Sequence, residues 1–381
     1  MEISCYAVSQ ITVYLVSFSE SDGMEVGRAP AQFPAMFVLG DSLVDNGNNN
    51  GLSSLAKSNY LPYGIDFPGG PTGRFSNGNT IVDFLGDLLG LPLLPAFTAT
   101  FTGERDVRSG VNFASAAAGI LDESGLNLVN SYPTLVIVTH GDRFSLSQQV
   151  QNLGSTLNQL RNQMDEVELK QYLRKSLVVM NIGSNDYINN YLKPSFYSSS
   201  STYNPEDYAD LLIMNYAGQI MALYRLGLRK FLLAGIGPLG CIPNQLATGL
   251  APPGKCVSAV NDMVRIFNKR LKSLVDQLNA NHTDAGAIFV YGNTYGAFND
   301  ILGSPATYGF SATDRGCCGI GRNRGQITCL PFSIPCSNRD EYIFWDAYHP
   351  TQAFNEIIAQ EAYSGSQSAC YPINVKQMAQ V

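Results

Sequence analysis

Charge is scarce in this chain of 381 residues: Asp, Glu, Lys and Arg together make up 14%, against roughly 25% in an average soluble domain. The little there is leans acidic, with 24 Lys and Arg against 31 Asp and Glu and a formal net charge of −7. So few cations cannot build the positive field that a phosphate backbone requires, which excludes nucleic acid as a partner. No run of 18 or more apolar residues exists, so no transmembrane anchor is expected. The pattern GxSxG is missing, which excludes the usual nucleophile elbow of the α/β-hydrolases. GxxxxGK[ST] is missing too, and with it a P-loop. Histidine occurs three times, so any imidazole that moves protons is His140, His282 or His349.

Cysteine is present, eight times, but without the paired CxxC knuckles or neighbouring histidines of a zinc site. Cys317, Cys318, Cys329 and Cys336 crowd into a loop-rich segment with little apolar periodicity, which needs another source of order. Disulfides supply it and imply an oxidising compartment. Cys241 and Cys256, flanking a Pro/Gly-rich loop, form a plausible separate bridge. Cys5 lies in the first residues, and Cys370 is left as the odd thiol. The stretch Ile3–Phe18 is mostly apolar and ends in a small, polar segment, resembling a secretory signal peptide. Glu2 stands where a positive charge is usual, and Ser9 and Gln10 interrupt the run. Residues 1–30 are thus read as a leader and 31–375 as one domain. A sequon, Asn281-His282-Thr283, falls at a helix end.

Short apolar runs that end near Gly, Asn or Ser predict buried strands at Ala35–Leu39, Val111–Ala114, Leu177–Asn181, Lys230–Ala234 and Ile288–Tyr291. Helical periodicity is clearest over 257–280, where Val260, Val264, Phe267, Leu271 and Leu278 recur on one face. Residues 80–89, 146–163, 205–226 and 351–362 are further helices, the third opened by Pro205, Glu206 and Asp207. Alternating strands and helices build a parallel sheet covered on both faces. Ligands of such sheets sit beyond the carboxyl ends of the strands, which directs attention to the loops there.

Four of those loops carry chemistry. The first strand runs into Gly40-Asp41-Ser42, placing a hydroxyl at the sheet edge in a loop that could lead into a helix, whose positive end would favour an oxyanion. By itself such a serine is as well read as a turn or cap residue. The third strand runs into Asn181-Ile-Gly-Ser-Asn185-Asp186, and the Asn185 amide can donate to an oxyanion, although turns use Asn as well. The second leads through Ser115-Ala-Ala-Ala-Gly119, where a Gly allows close backbone approach. Near the end, Asp346-Ala-Tyr-His349 puts a carboxylate within reach of an imidazole, able to fix its tautomer and stabilise its charged form. His282, in an exposed sequon, and His140, in a loop before a helix, lack such an acid. Gly235-Ile-Gly-Pro-Leu-Gly240 matches GxGxxG, but Pro238 removes an amide that a phosphate would need, so no dinucleotide site is expected.

Together these segments resemble the plant GDSL esterase/lipase family, a branch of the SGNH hydrolases. The resemblance rests on FVLGDSLVDNGNNN, PTGRFSNG, GVNFASAAAGI, NIGSNDY, GIGPLGCIP and FWDAYHPT, and extends from Phe33 to Pro372. It implies an α/β fold, a flavodoxin-like three-layer α/β/α sandwich with a central parallel sheet. It also implies secretion and ester hydrolysis with no metal or cofactor. Residue by residue, Ser42 corresponds to the nucleophile, His349 to the general base and Asp346 to its orienting acid. The backbone of Ser42, Gly119 and Asn185 correspond to the oxyanion hole. Many relatives carry more glycines where this chain has Ala116-Ala117-Ala118, which leaves Gly119 and Ala118 both open as the middle donor. Acyl transfer to an alcohol would use the same site, and an inactive binding protein on this scaffold is the reading from another class. The partner implied is a small-molecule or lipid ester. Oligomeric state and the acyl group are not written in the chain.

Overall fold

The computed structural model describes residues 30–101, 105–132, 135–282 and 286–381; the leader expected over 1–30 falls almost wholly outside them, as do Cys5 and Thr283 of the sequon. Residues from Ala31 onward form one unit. Its centre is a six-stranded sheet of β1 (Met36–Gly40), β2 (Gly110–Asn112), β3 (Leu177–Asn181), β4 (Lys230–Ala234), β5 (Ile288–Gly292) and β6 (Cys370–Tyr371) in the order β2-β1-β3-β4-β5-β6. The first five run parallel, and β6 adds an antiparallel edge through Cys370↔Gly292 and Tyr371↔Tyr291. The sheet is thus parallel except for this edge, which a two-residue strand with no hydrophobic run does not announce. The 2-1-3-4-5 order is flavodoxin-like, and its switch point lies between β1 and β3.

β1, β2 and β3 are buried along their whole length, as expected of strands covered on both faces. The covering helices are α1 (Ile81–Leu88), α2 (Leu146–Arg161), α3 (Glu166–Lys175), α4 (Pro205–Arg225), α5 (Ser258–Asn281), α6 (Thr294–Gly303) and α7 (Gln352–Ser364). α4 packs on α5 and α2, and α1 packs on α7, which gives three layers. α5 buries Val260, Val264, Phe267, Leu271, Val275 and Leu278, the periodic face of the sequence. α4 starts on Asn204, whose side chain accepts from the Asp207 N–H, with Pro205 in the first turn. α3 has no counterpart among the expected helices. It buries only Leu169, Tyr172 and Leu173 and depends on the Asp165 cap, so its apolar stripe is too short to register.

Gly40 ends β1, and a Cβ there would come within 2.5 Å of the Asn181 carbonyl and of Val44 Cγ2. The first obstacle is the backbone of β3, which no rotamer change can clear. Gly40→Ala should lower stability by about 1–3 kcal/mol through overpacking and should shift the loop that starts one residue later. A urea midpoint equal to that of the unaltered protein would contradict this.

Candidate active site

No helix follows β1. Residues 41–50 form successive turns, and the next helix is α1. The expectation of a helix N-terminus at Ser42 is therefore corrected. Asp45 Oδ1 accepts from the N–H groups of Gly47 and Asn48, each at 2.8 Å. Local side-chain acceptors thus replace the helical carbonyls. Asn48 then points inward, bonding the carbonyls of Asn112 and Ala114 and accepting from the Thr98 N–H. Gln149 on α2 binds both backbone groups of Gly40. Ser42 stands on a loop tied to its surroundings on several sides.

From the other end of the chain, strand Tyr342–Phe344 leads into a tight loop closed by the Trp345 N–H on the His349 carbonyl at 2.8 Å. This loop carries both expected residues. Ser42 Oγ lies 2.7 Å from His349 Nε2, and His349 Nδ1 lies 2.9 Å from both oxygens of Asp346. Asp346 is fully buried and His349 nearly so. The N–H groups of Tyr348 and His349 donate to Asp346 Oδ1 at 2.8 Å. The Tyr63 hydroxyl donates to Oδ2 at 2.5 Å, and the Thr328 hydroxyl to the same oxygen at 3.3 Å. Burial by itself would raise the Asp346 carboxyl. The neighbouring His349 and these donors outweigh it and hold the group below its ordinary value.

The segment PTGRFSNG aims the imidazole. The Phe75 ring lies 4.9 Å from that of His349. Arg74 binds both oxygens of Asp83, which also accepts from the Thr80 N–H at the start of α1. Asn77 accepts from the Gln352 N–H, joining this loop to the start of α7.

Asn185 follows β3 in a short helical turn after Gly183, whose φ of +123° favours glycine. Its Nδ2 donates to the Ala118 carbonyl at 2.9 Å, which leaves a second amide hydrogen, and its Oδ1 accepts from Asn189 Nδ2 at 2.6 Å. The neighbouring Asp186 collects the N–H groups of Ile120 and Leu121 and the Ser124 hydroxyl, at 2.7–3.0 Å. This carboxylate clamps the turn after β2 onto the turn after β3. Gly119 lies against Asp186 and Ser124, where a Cβ would come within 2.7 Å of both. It does not line the cavity, whereas Ala116 and Ala117 do. Ala117 holds φ +67°, and the Ala118 N–H is already taken by the Ser115 carbonyl.

The cavity above Ser42 has a volume of about 200 Å³ and is lined mainly by apolar side chains, among them Leu43, Phe75, Ile188, Ile236, Phe298 and Phe354. Ser42, Asn185 and His349 are among its polar lining groups, with Asp41, Tyr63 and Thr328. Three buried carboxyls adjoin it: Asp41 on its wall, Asp45 bonded to the Ala116 N–H, and Asp186 next to Asn185. Burial raises Asp41 to about 7 against the Leu43 N–H and His349, and raises Asp45 and Asp186 to about 6 against their backbone donors. The GxGxxG segment forms part of the cavity wall. Its Gly235 and Ile236 N–H groups are taken by the Gly292 carbonyl and Asn268, so they form no phosphate cradle.

His282 is half-buried against the Tyr224 ring at 4.9 Å rather than exposed, and His140 ends a strand, Leu135–His140, rather than lying in a loop. The side chain of His140 lies outside the described residues. The cysteines bond one another as Cys241–Cys256, Cys317–Cys336 and Cys318–Cys329, and Cys370 is free and buried. The two clustered bridges pack with Tyr63, Phe75 and Trp345 behind the Asp346 loop.

Tyr63 and Asp186 were not anticipated as part of the site. Asp186 adjoins Asn185 in NIGSNDY, a signal that could have been followed. Tyr63 had none.

A family model described as GDSL-like lipase/acylhydrolase matches residues 36–362. GDSL esterase/lipase At5g08460 of Arabidopsis thaliana is 57% identical, over 100% of this chain and 97% of its own length. GDSL esterase/lipase At1g71250 of the same plant is 56% identical, over 93% of this chain and 91% of its own. GDSL esterase/lipase At1g29670 is 52% identical, over 93% of each. With family model and relatives agreeing over nearly the whole length, the chain belongs to the GDSL-like lipase/acylhydrolase family and is a carboxylic ester hydrolase.

Proposed function

We propose that the protein is a secreted serine esterase that hydrolyses carboxylic esters at Ser42. The observation that carries this reading is the continuous relay from Ser42 Oγ through His349 to Asp346, at 2.7 and 2.9 Å, at the wall of an apolar cavity. Ser42 Oγ attacks the acyl carbon as His349 Nε2 takes its proton, and Asp346 stabilises the imidazolium. The ester C–O bond then breaks, and the leaving alkoxide takes the proton from Nε2. Water repeats the sequence on the acyl-serine: His349 takes its proton, the acid departs, and Ser42 regains its hydrogen.

The oxyanion is held by the Ser42 N–H, the free Asn185 amide hydrogen and a backbone N–H of the 117–119 turn. Gly119 is the motif's position in that turn. Ala117 is its member on the cavity wall, and we place the donor there. A backbone donor needs no side chain, so alanine can serve where relatives carry glycine. Secretion is supported by three disulfides and by the apolar run near the start of the chain, which we read as a removable leader ahead of one catalytic domain.

A fluorophosphonate should label the protein once, on the peptide that contains Ser42, and hydrolysis of a short p-nitrophenyl ester should vanish in step with labelling. Label on another residue, or activity that survives full labelling, would rule the assignment out.

A further inference from the structure

We propose that Asn189 is a positioning residue for Asn185, holding its side-chain amide in the orientation that leaves an N–H for the oxyanion. The inference rests on the oxyanion role given to Asn185 above. A side-chain amide turns easily about its last bond, and only hydrogen bonds decide which end donates where. Anchored at one end alone, it can swing its remaining hydrogen away from a ligand. Asn185 is anchored at both ends. Its Nδ2 donates to the Ala118 carbonyl at 2.9 Å, and its Oδ1 accepts from Asn189 Nδ2 at 2.6 Å. The first bond uses one of the two amide hydrogens and the second occupies the oxygen, so one hydrogen is left. Donation into Oδ1 also polarises the amide, which makes that hydrogen a stronger donor.

An irregular piece of backbone brings the two residues together. Tyr187–Tyr191 form a wide, π-type turn in which the Leu192 N–H donates to the Tyr187 carbonyl at 2.9 Å. Asn189 departs from helical geometry within it, at φ −117° and ψ 17°. Such turns are rare and recur at functional sites.

Other side chains hold this turn in place. The Asn190 amide donates to Ser124 Oγ at 3.0 Å and accepts from Ser199 Oγ at 2.6 Å. The Tyr191 hydroxyl donates to the Tyr203 carbonyl at 2.8 Å. Asn189 is half-buried and lines the cavity beside Asn185. Its side chain bonds Asn185, while its neighbours bond the scaffold. Changing it therefore addresses the amide of Asn185 and leaves the supports of the turn intact.

The test compares N185A, N189A, N189D and N185A/N189A on a short p-nitrophenyl ester. N185A should lose about 10²–10³ in kcat, as for removal of one oxyanion donor. N189A should lose about tenfold in kcat with KM unchanged, in line with one hydrogen bond. N189D keeps the size of the side chain but should lose at least about a hundredfold. Its carboxylate sets an acceptor where a donor stood. The Asn185 amide then either meets it oxygen to oxygen or turns over and presents its own oxygen to Ala118 and the oxyanion. The double variant should be no slower than N185A, because Asn189 acts only through Asn185. Full activity in N189A and N189D, an N189D loss no larger than that of N189A, or losses that multiply in the double variant would each overturn the proposal. Full activity in N185A would remove the oxyanion role of Asn185 and the proposal with it.

Discussion

Ser42→Ala should lower kcat/KM on a p-nitrophenyl ester by roughly 10⁴–10⁶, and His349→Ala added to it should lower the rate hardly at all further. The reason is the 2.7 Å contact between Ser42 Oγ and His349 Nε2. Once the hydroxyl is gone the imidazole has no nucleophile to activate, and once the imidazole is gone the hydroxyl is a weak nucleophile near neutral pH. Each loss therefore contains the other. What survives is the contribution of the oxyanion donors to attack by water. The donors proposed above are two backbone N–H groups and one Asn amide, all left intact by both substitutions. If the effects of the two variants instead multiply, the residues act independently and the relay is not the catalytic unit.

Asp346→Asn should cost about 10⁴ in kcat with little change in KM. Asp346 accepts from five groups: two backbone N–H groups, the His349 ring, Tyr63 and Thr328. An amide has one acceptor oxygen. If its NH₂ faces the ring, Nδ1 becomes an acceptor and the proton moves to Nε2, where it opposes the Ser42 hydroxyl. If its NH₂ takes the place of Oδ1, it meets the N–H groups of Tyr348 and His349, and donors face donors in a buried site. Tyr63→Phe removes one donor and leaves the tautomer intact, so its loss should be nearer tenfold, in line with one hydrogen bond to a charged group. A D346N loss no larger than that of Y63F would remove Asp346 from the relay. Stability carries the same signature. His349 and the donors hold the Asp346 carboxyl below its ordinary value in the folded protein, against the effect of burial. Its ionisation therefore stabilises the fold fully above the unfolded value, and this contribution fades as pH falls through the folded value. The stability difference between the unaltered protein and D346N should shrink on acidification.

Much of the site is legible in the chain because its chemistry sits at strand ends. β1, β3, β4 and β5 are short apolar runs, and Ser42 and Asn185 follow two of them within a few residues. Asp346 and His349 share one loop, so their pairing needs no knowledge of the fold. Tyr63 is different. It sits in a Pro-Tyr-Gly loop with no period, and its hydroxyl reaches Asp346 across 283 positions. Only the packing of Tyr63 with Trp345 and the clustered disulfides brings them together. The turns after Ser42 escaped for another reason. Asn48 and Asn49 read as loop residues, but both are buried, and they bond the backbone of the 112–116 segment. They serve as spacers between β1 and β2, and helix propensity does not report this.

The two residues that meet over the cavity are separated by 307 positions. A ribosome adding about 5–20 residues per second needs roughly 15–60 s to go from one to the other. On the roles proposed for these residues, the nascent chain through that interval carries a serine with no base, an ordinary hydroxyl among many. The enzyme is thus silent by timing alone while it is being made. Its first turnover waits for nearly the last of its folded structure, and activity becomes a report that synthesis and folding have finished.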